Sequence, residues 1–179
     1  MALSATIYNF DIQLADMDRS VYESLSLRVA CQPSETVEYL LSRVLAYCLE
    51  YREGIGFSRG IAEPDVPALS VHDLTGALQV WIDVGAPDAA RLHKASKAAP
   101  RVVVYTHRDP ARLATQLSGE RIHRAAELEL HGIDRELMNG LVTRLDRRNT
   151  WAVSVQEKHV YVTIGDVSID GDIVRHALS

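Results

Sequence analysis

The amino-terminal thirty residues alternate between apolar and polar positions. Residues 8–14 place Tyr, Phe, Ile and Leu at every second position, and residues 24–29 do the same with Leu, Leu and Val. A polar segment, residues 16–19, separates the two stretches. Period-two patterning with one polar face is typical of half-buried antiparallel strands. The sequence therefore predicts a β-hairpin at the start of the chain.

A helical period follows the hairpin. Apolar residues recur three or four positions apart from Val37 to Leu49, which predicts a helix with one continuous apolar face. Ser34 is the predicted N-cap, and Gly54 is a plausible end. Residues 54–67 contain three glycines and two prolines and are expected to be mostly loop.

The middle of the chain predicts a βαβ crossover. Residues 78–84 alternate like a strand, Asp88 is placed to cap a helix running to about Ala99, and residues 101–105 form a buried apolar strand. These two strands are expected to be parallel neighbours. Further segments predict a helix at 109–117, extended chain at 125–131, a helix at 134–147, and strands near 152–155, 160–164 and 172–174. The expected fold class is an α/β core with antiparallel additions.

Composition narrows the class of protein. A chain of 179 residues with 47% apolar and 24% charged residues is expected to form a single domain, residues 1–179. No run approaches the ~20 apolar residues needed to cross a bilayer, the amino terminus lacks a basic signal-peptide region, and two cysteines fit a reducing compartment. The expected protein is cytoplasmic and has no membrane partner.

The charge balance bears on the choice of partner. The net charge is −5, which disfavours duplex nucleic acid unless a local basic groove exists. Arginines cluster at 121–124 and at 144–148. Each cluster is either a solvated edge of an element or a set of phosphate contacts.

Several common sites are excluded by their motifs. The chain contains no HExxH, no CxxC and no GxSxG, and no Walker-type GxxxxGK. The glycines at 54, 56 and 60 are spaced one residue too widely for the dinucleotide fingerprint and follow a helix rather than a strand.

Carboxylates are the remaining candidates for chemistry. Glu38 lies at the edge of the apolar helix face, and Glu35 lies one turn earlier; the alternative is that both favour the helix start electrostatically. Asp83 ends a predicted central strand, where ligand sites of α/β sheets form. Asp73 precedes that strand and would converge with Asp83 if residues 71–78 bend appropriately; otherwise it is an ordinary turn acid. Such a cluster suits Mg²⁺.

The helix after Asp83 carries Arg91, Lys94 and Lys97 at intervals of three, so they share one face. A lysine there would point back over the strand end and stabilise charge developing on a phosphate. The alternative is a solvated helix with a favourable carboxy-terminal charge.

These stretches together resemble the YaeQ family of small bacterial proteins of unsettled function. The resemblance covers nearly the whole chain, from MALSATIYNFDIQLADMDR through QPSETVEYLLSRVLAYCLEY and FSRGI to VWIDVGAPDAARLHKA and VVVYT. It implies a variant of the PD-(D/E)xK nuclease superfamily, with a restriction-endonuclease-like three-layer α/β/α core and a mixed β-sheet.

The same resemblance implies the roles of individual residues. It places the strand aspartate at Asp73, the second acid at Asp83 and the helix acid at Glu38 or Glu35. In the leading hypothesis Asp73, Asp83 and Glu38 would hold Mg²⁺ or Mn²⁺, with Glu35 and Arg91 in the outer shell. The motif lysine is replaced by Gly85, so that Lys94 is the natural substitute and Asp73, Asp83 and Lys94 the catalytic set. The literal Pro-Asp pairs at 64–65 and 87–88 are treated as distractors.

Three functional hypotheses follow. The first is a metal-dependent nuclease or phosphodiesterase acting on or binding nucleic acid. The second is a non-catalytic regulatory or binding protein on the same scaffold, motivated by Gly85 and the acidic net charge. The third is a structural acid cluster held without metal by Arg43, Arg59 or Arg91.

Overall fold

The structure is a computed structural model that describes residues 4–58 and 65–178. Its contacts divide the chain into two compact units, which we call the first unit (residues 4–41 and 133–174) and the second unit (residues 42–132 and 175–178). The strands are β1 Thr6–Asp16, β2 Val21–Cys31, β3 Ile55–Phe57, β4 Leu69–His72, β5 Leu78–Val84, β6 Arg101–Thr106, β7 Glu129–Ile133, β8 Arg148–Gln156, β9 His159–Ile164 and β10 Val167–His176. The α-helices are α1 Val37–Leu49, α2 Ala89–Ala98, α3 Pro110–Leu117 and α4 Arg135–Arg144.

The first unit is built on a sheet with the strand order β2-β1-β8-β9-β10. β1 and β2 form the antiparallel hairpin that their alternation predicts, and β8 runs parallel to β1. One face of the sheet is apolar and buried, with Phe10 against the edge of the Trp151 ring at 5.0 Å between centroids. The opposite face carries the polar positions of each strand.

α4 packs closely against β10 in this unit. A Cβ atom at Gly171 would lie 2.7 Å from the Cβ of Asp134, and one at Gly140 would lie 2.7 Å from a methyl group of Ile169. Glycine at both positions lets the helix and the strand approach more closely than side chains would permit.

The second unit is built on a sheet with the order β7-β6-β5-β4-β3. β5, β6 and β7 are parallel, as the predicted crossover requires, while β4 and β3 are antiparallel. α2 and α3 contribute Leu92 and Leu113 to an apolar cluster with Val102, Val104 and Leu130 of the sheet. Within the described ranges, no helix is long and apolar enough to span a membrane.

Some predicted boundaries are wrong. Thr36, not Ser34, caps α1, because its side-chain oxygen accepts a hydrogen bond from the amide of Tyr39 at 3.1 Å. The expected loop after Gly54 contains the three-residue edge strand β3, and α4 ends at Arg144 rather than near 147. The chain therefore has a mixed α/β fold whose local elements follow the sequence pattern.

Candidate functional site

Asp83 is a buried carboxylate at the penultimate position of β5. Its side chain is 3% exposed, and β4 and β6 flank the strand that carries it. Oδ1 accepts a hydrogen bond from the Ala68 amide at 3.3 Å, so the backbone preceding β4 lies against this carboxylate. A buried carboxylate needs a compensating positive charge to remain ionised.

Arg91 supplies that charge. α2 begins beside the carboxyl end of β5, where the Asp88 side chain caps it by accepting from the Arg91 amide at 2.8 Å. The guanidinium donates from Nε to Oδ2 of Asp83 at 2.8 Å and from Nη2 to Oδ1 at 3.0 Å. Nη2 also donates to the Val66 carbonyl at 2.6 Å. Both oxygens of Asp83 are therefore held by one bidentate guanidinium.

The Arg91 guanidinium is fixed from a further side, since its Cζ lies 5.5 Å from the centre of the Trp81 ring. This is the geometry of a cation–π contact. Of the three arginines considered for a structural ion pair, Arg91 forms it. Arg43 is buried in α1, and Arg59 lies outside the described residues.

Lys94 lies one helical turn after Arg91, on the same face of α2. Its ammonium is 3.2 Å from Oδ1 of Asp65, and both side chains are largely exposed. Asp65 belongs to a literal Pro-Asp pair that was expected to be a distractor, so the sequence did not indicate it as the partner of Lys94. Two ion pairs, Asp83–Arg91 and Asp65–Lys94, thus connect α2 to β5 and to the segment that begins at residue 65.

Asp73 occupies the tight turn between β4 and β5. Its carboxylate accepts from the hydroxyl and amide of Thr75, the amide of Ala77 and the side-chain amide of Gln79, all at 2.6–3.0 Å. The Thr75 hydroxyl, followed by the Ala77 amide, lowers the pKa of Asp73 below its ordinary value. These contacts are those of an acid that organises its own turn.

The register of β4 and β5 separates Asp73 from Asp83. His72 pairs with Leu78 at one end of the hairpin, whereas Leu69 pairs with Ile82 near the other. Asp83 is five residues beyond Leu78, or about 17 Å along an extended strand. The prediction that Asp73 and Asp83 converge on one ion is therefore wrong, because the turn places them at opposite ends of β5.

Glu35 and Glu38 belong to the first unit. Oε1 of Glu35 accepts from the Gln32 amide at 3.2 Å, and Glu38 is half-buried in the first turn of α1. In the part of the chain that the structure describes, no group of three or more His, Cys, Asp or Glu side chains is arranged to hold a metal ion.

The family resemblance implies a motif lysine at the position of Gly85. This glycine is buried directly after β5, has φ +82°, and donates its amide to the Tyr105 carbonyl at 3.0 Å. Side chains rarely tolerate this left-handed backbone conformation, which glycine adopts readily. The way the chain leaves β5 is therefore a structural reason for glycine at this position.

A second polar cluster in the second unit was not predicted. Arg101 donates to both oxygens of Glu129 at 2.6 and 2.9 Å and to both oxygens of Glu50 at 2.7 and 3.2 Å. The Tyr105 hydroxyl donates to Glu50 at 2.6 Å, and the Tyr105 ring stacks on His131 at 5.0 Å. Its members are up to 81 positions apart in the chain, so no local motif predicts it.

Charge pairing sets the protonation states in this cluster. Burial alone raises the pKa of Glu129, but hydrogen bonds with His131 and Arg101 outweigh it and lower the pKa to about 2. Burial, followed by the charge of Glu50, raises the pKa of Tyr105. Burial opposes the charge on Arg101, but its bonds to Glu129 and Glu50 prevail and raise the guanidinium pKa. The lowered pKa of Glu129 and the raised pKa of Arg101 both favour the charged ion pair between these two side chains.

The chain is similar to known proteins over nearly its whole length. A family model described as "YaeQ protein" matches residues 1–172. The chain is 30% identical over 164 residues to the "Uncharacterized protein YaeQ" of Escherichia coli (strain K12), with 91% of each chain covered. It is similar to the crystal structure of the YaeQ protein from Xanthomonas axonopodis pv. citri, with a TM-score of 0.86, 29% identity, and 96% of this chain and 98% of that chain covered. The YaeQ protein from Pseudomonas syringae gives a TM-score of 0.85 at 28% identity, covering 96% of this chain and 95% of that chain.

Proposed function

Since the chain belongs to the YaeQ family, we propose that it is a non-catalytic binding protein on the nuclease-like scaffold that the family resemblance implies. The observation that carries the proposal is the bidentate pair between Asp83 and Arg91. The carboxylate that would bind the metal in a nuclease has both oxygens engaged by a guanidinium.

A metal ion would have to displace that guanidinium. Mg²⁺ binds through carboxylate oxygens and retains several waters, so it needs an accessible carboxylate. Removing the guanidinium from a buried carboxylate that gains no other partner costs about 3–5 kcal/mol, so a metal ion must supply at least that much compensation. The lysine that would stabilise a reacting phosphate is in turn paired with Asp65. These contacts favour a role for both pairs in holding α2 against the sheet.

The second candidate function is the metal-dependent phosphodiesterase of the sequence analysis, acting on nucleic acid. The observation that favours it is the placement of Lys94 one helical turn from the residue that contacts Asp83. In that function Asp83 would hold Mg²⁺ or Mn²⁺, which would polarise the phosphate and activate a water, while Lys94 stabilises the developing charge.

Cleavage and metal-binding measurements separate the two functions. We expect the full-length protein, at high concentration with Mn²⁺, to leave single- and double-stranded DNA and RNA intact. Calorimetric titration with Mg²⁺ and with Mn²⁺ should give the same heats for the wild type and for Asp83→Asn, because Arg91 rather than a metal neutralises Asp83.

Asp73→Asn is the matched control, since it makes the same chemical change at the opposite end of β5. Circular dichroism verifies that both variants remain folded. Cleavage that is abolished by EDTA and by Asp83→Asn, but retained by Asp73→Asn, would reject the non-catalytic function and establish the second candidate.

A further inference from the structure

Two arginines of the first unit lie on the polar face of its sheet, one on each side of Asn9. Asn9 of β1 pairs with Arg28 of β2 on one side and with Arg148 of β8 on the other. The three residues form one row across neighbouring strands, so the two arginine Cα atoms are separated by two strand spacings, about 9–10 Å. Both side chains are exposed and both line the same groove.

Neither guanidinium has a carboxylate partner among the residues that the structure describes. Among the described residues that line the groove, Asp11 is the one acid; it lies one pleat further along β1 and accepts a hydrogen bond from the Ser26 hydroxyl at 2.9 Å. The groove therefore carries two positive charges and one negative charge.

The groove is a cavity of about 320 Å³ lined by Asn9, Asp11, Ser26, Leu27, Arg28 and Arg148. This volume is at the lower end of the range for small-molecule sites. The side-chain amide of Asn9 and the hydroxyl of Ser26 line the groove beside the two guanidinium groups. We propose that this groove binds the phosphate group of a small phosphorylated ligand.

The pairing geometry favours phosphate over carboxylate. One guanidinium satisfies both oxygens of a carboxylate, as Arg91 does with Asp83 in this chain. Two guanidinium groups that reach one cavity from opposite sides suit an anion with three or more oxygens. The paired N–H donors of arginine bind phosphate oxygens in this bidentate geometry.

The charge of the chain favours a small ligand over a nucleic-acid strand. Strong nucleic-acid binding draws on many phosphate contacts, whereas this groove supplies two arginines on a chain of net charge −5. This inference does not depend on the proposed function, because it rests on other residues and concerns binding alone.

The test is NMR titration of the full-length protein with inorganic phosphate, following the arginine Nε–H signals. We expect saturable shifts of the Arg28 and Arg148 signals at millimolar phosphate. Arg28→Gln and Arg148→Gln should each weaken binding at least tenfold, since each removes a charge-assisted contact. Asp11→Asn should strengthen binding, because it removes the repelling carboxylate.

Arg135→Gln is the matched control: it removes the same charge from an exposed position on α4 outside the groove. We expect it to bind phosphate like the wild type. Shifts that fail to saturate, or equal losses in Arg135→Gln and the groove variants, would overturn the proposal. Tighter binding of a single-stranded oligonucleotide than of ribose 5-phosphate, lost in the groove variants, would overturn it in favour of a polymeric ligand.

Discussion

Gly85 shows how a single backbone conformation limits the chemistry at the end of β5. Its φ of +82° lets the chain turn from β5 toward α2 while its amide bonds to β6. A lysine placed here would adopt a strained backbone conformation, and its charged side chain would start from a buried position. The turn at the end of β5 therefore favours glycine over a residue with a long charged side chain.

We expect Gly85→Lys to lower the free energy of unfolding by about 1–2 kcal/mol from backbone strain, with a further loss from burial. Denaturant titration measures the change. Gly76→Lys is the matched control, since Gly76 has φ +86° but lies in an exposed turn where an added Cβ would have no atom within 4 Å. An equal loss in the two variants would show that burial at residue 85 contributes nothing.

At the scale of elements, close contact between α4 and β10 depends on two glycines. A Cβ at Gly171 would meet the Cβ atoms of Asp134 and Leu137 at 2.7 and 2.8 Å, and those atoms are fixed to the helix backbone. Extra atoms in such a contact force the elements apart. Because Asp134 caps α4 by accepting from the Leu137 amide at 3.0 Å, the strain would act directly on the start of the helix.

We expect Gly171→Ala to lower the free energy of unfolding by about 1–3 kcal/mol. Gly56→Ala in β3 is the control, because nothing lies within 4 Å of the added methyl group and its effect should be small. Thermal and denaturant unfolding both report the difference. A Gly171→Ala protein as stable as the Gly56→Ala protein would contradict the packing described for α4.

The sequence predicts helices and strands whose hydrophobic pattern is local. It does not predict sites whose residues are brought together by the pairing of strands that are distant in the chain. The β5-α2-β6 crossover and the Asp88 cap follow from periodicity within about thirty residues. The row of Arg28, Asn9 and Arg148 depends on β8 pairing with β1, nearly 140 positions earlier, which no local pattern specifies. Asp83 was correctly placed at a strand end, but its distance from Asp73 required the register of β4.

At the scale of the whole molecule, the Glu50–Arg101–Glu129 bridge couples folding to pH. The pKa of Glu129 falls from an ordinary value of 4.5 to about 2 in the folded chain. A carboxyl with a depressed pKa adds stability above its unfolded pKa and loses that contribution as pH falls toward the folded pKa. The relevant window is therefore about pH 4.5 to 2, and stability decreases as acid is added.

We expect this bridge to add an acid-sensitive part to the stability of the whole chain. Lowering the pKa of Glu129 from 4.5 to about 2 corresponds to at most about 3.4 kcal/mol, and solvent screening of the partly exposed pair reduces this to about 1–2 kcal/mol. Urea titrations at pH values from 6 to 2.5 should give a shallower decline for Glu129→Gln than for the wild type. Glu127→Gln, an exposed acid 3.7 Å from Arg124, is the control and should follow the wild-type curve. If the stability of all three proteins declined with pH in parallel, the ionised carboxylate of Glu129 would not contribute to the acid sensitivity of folding.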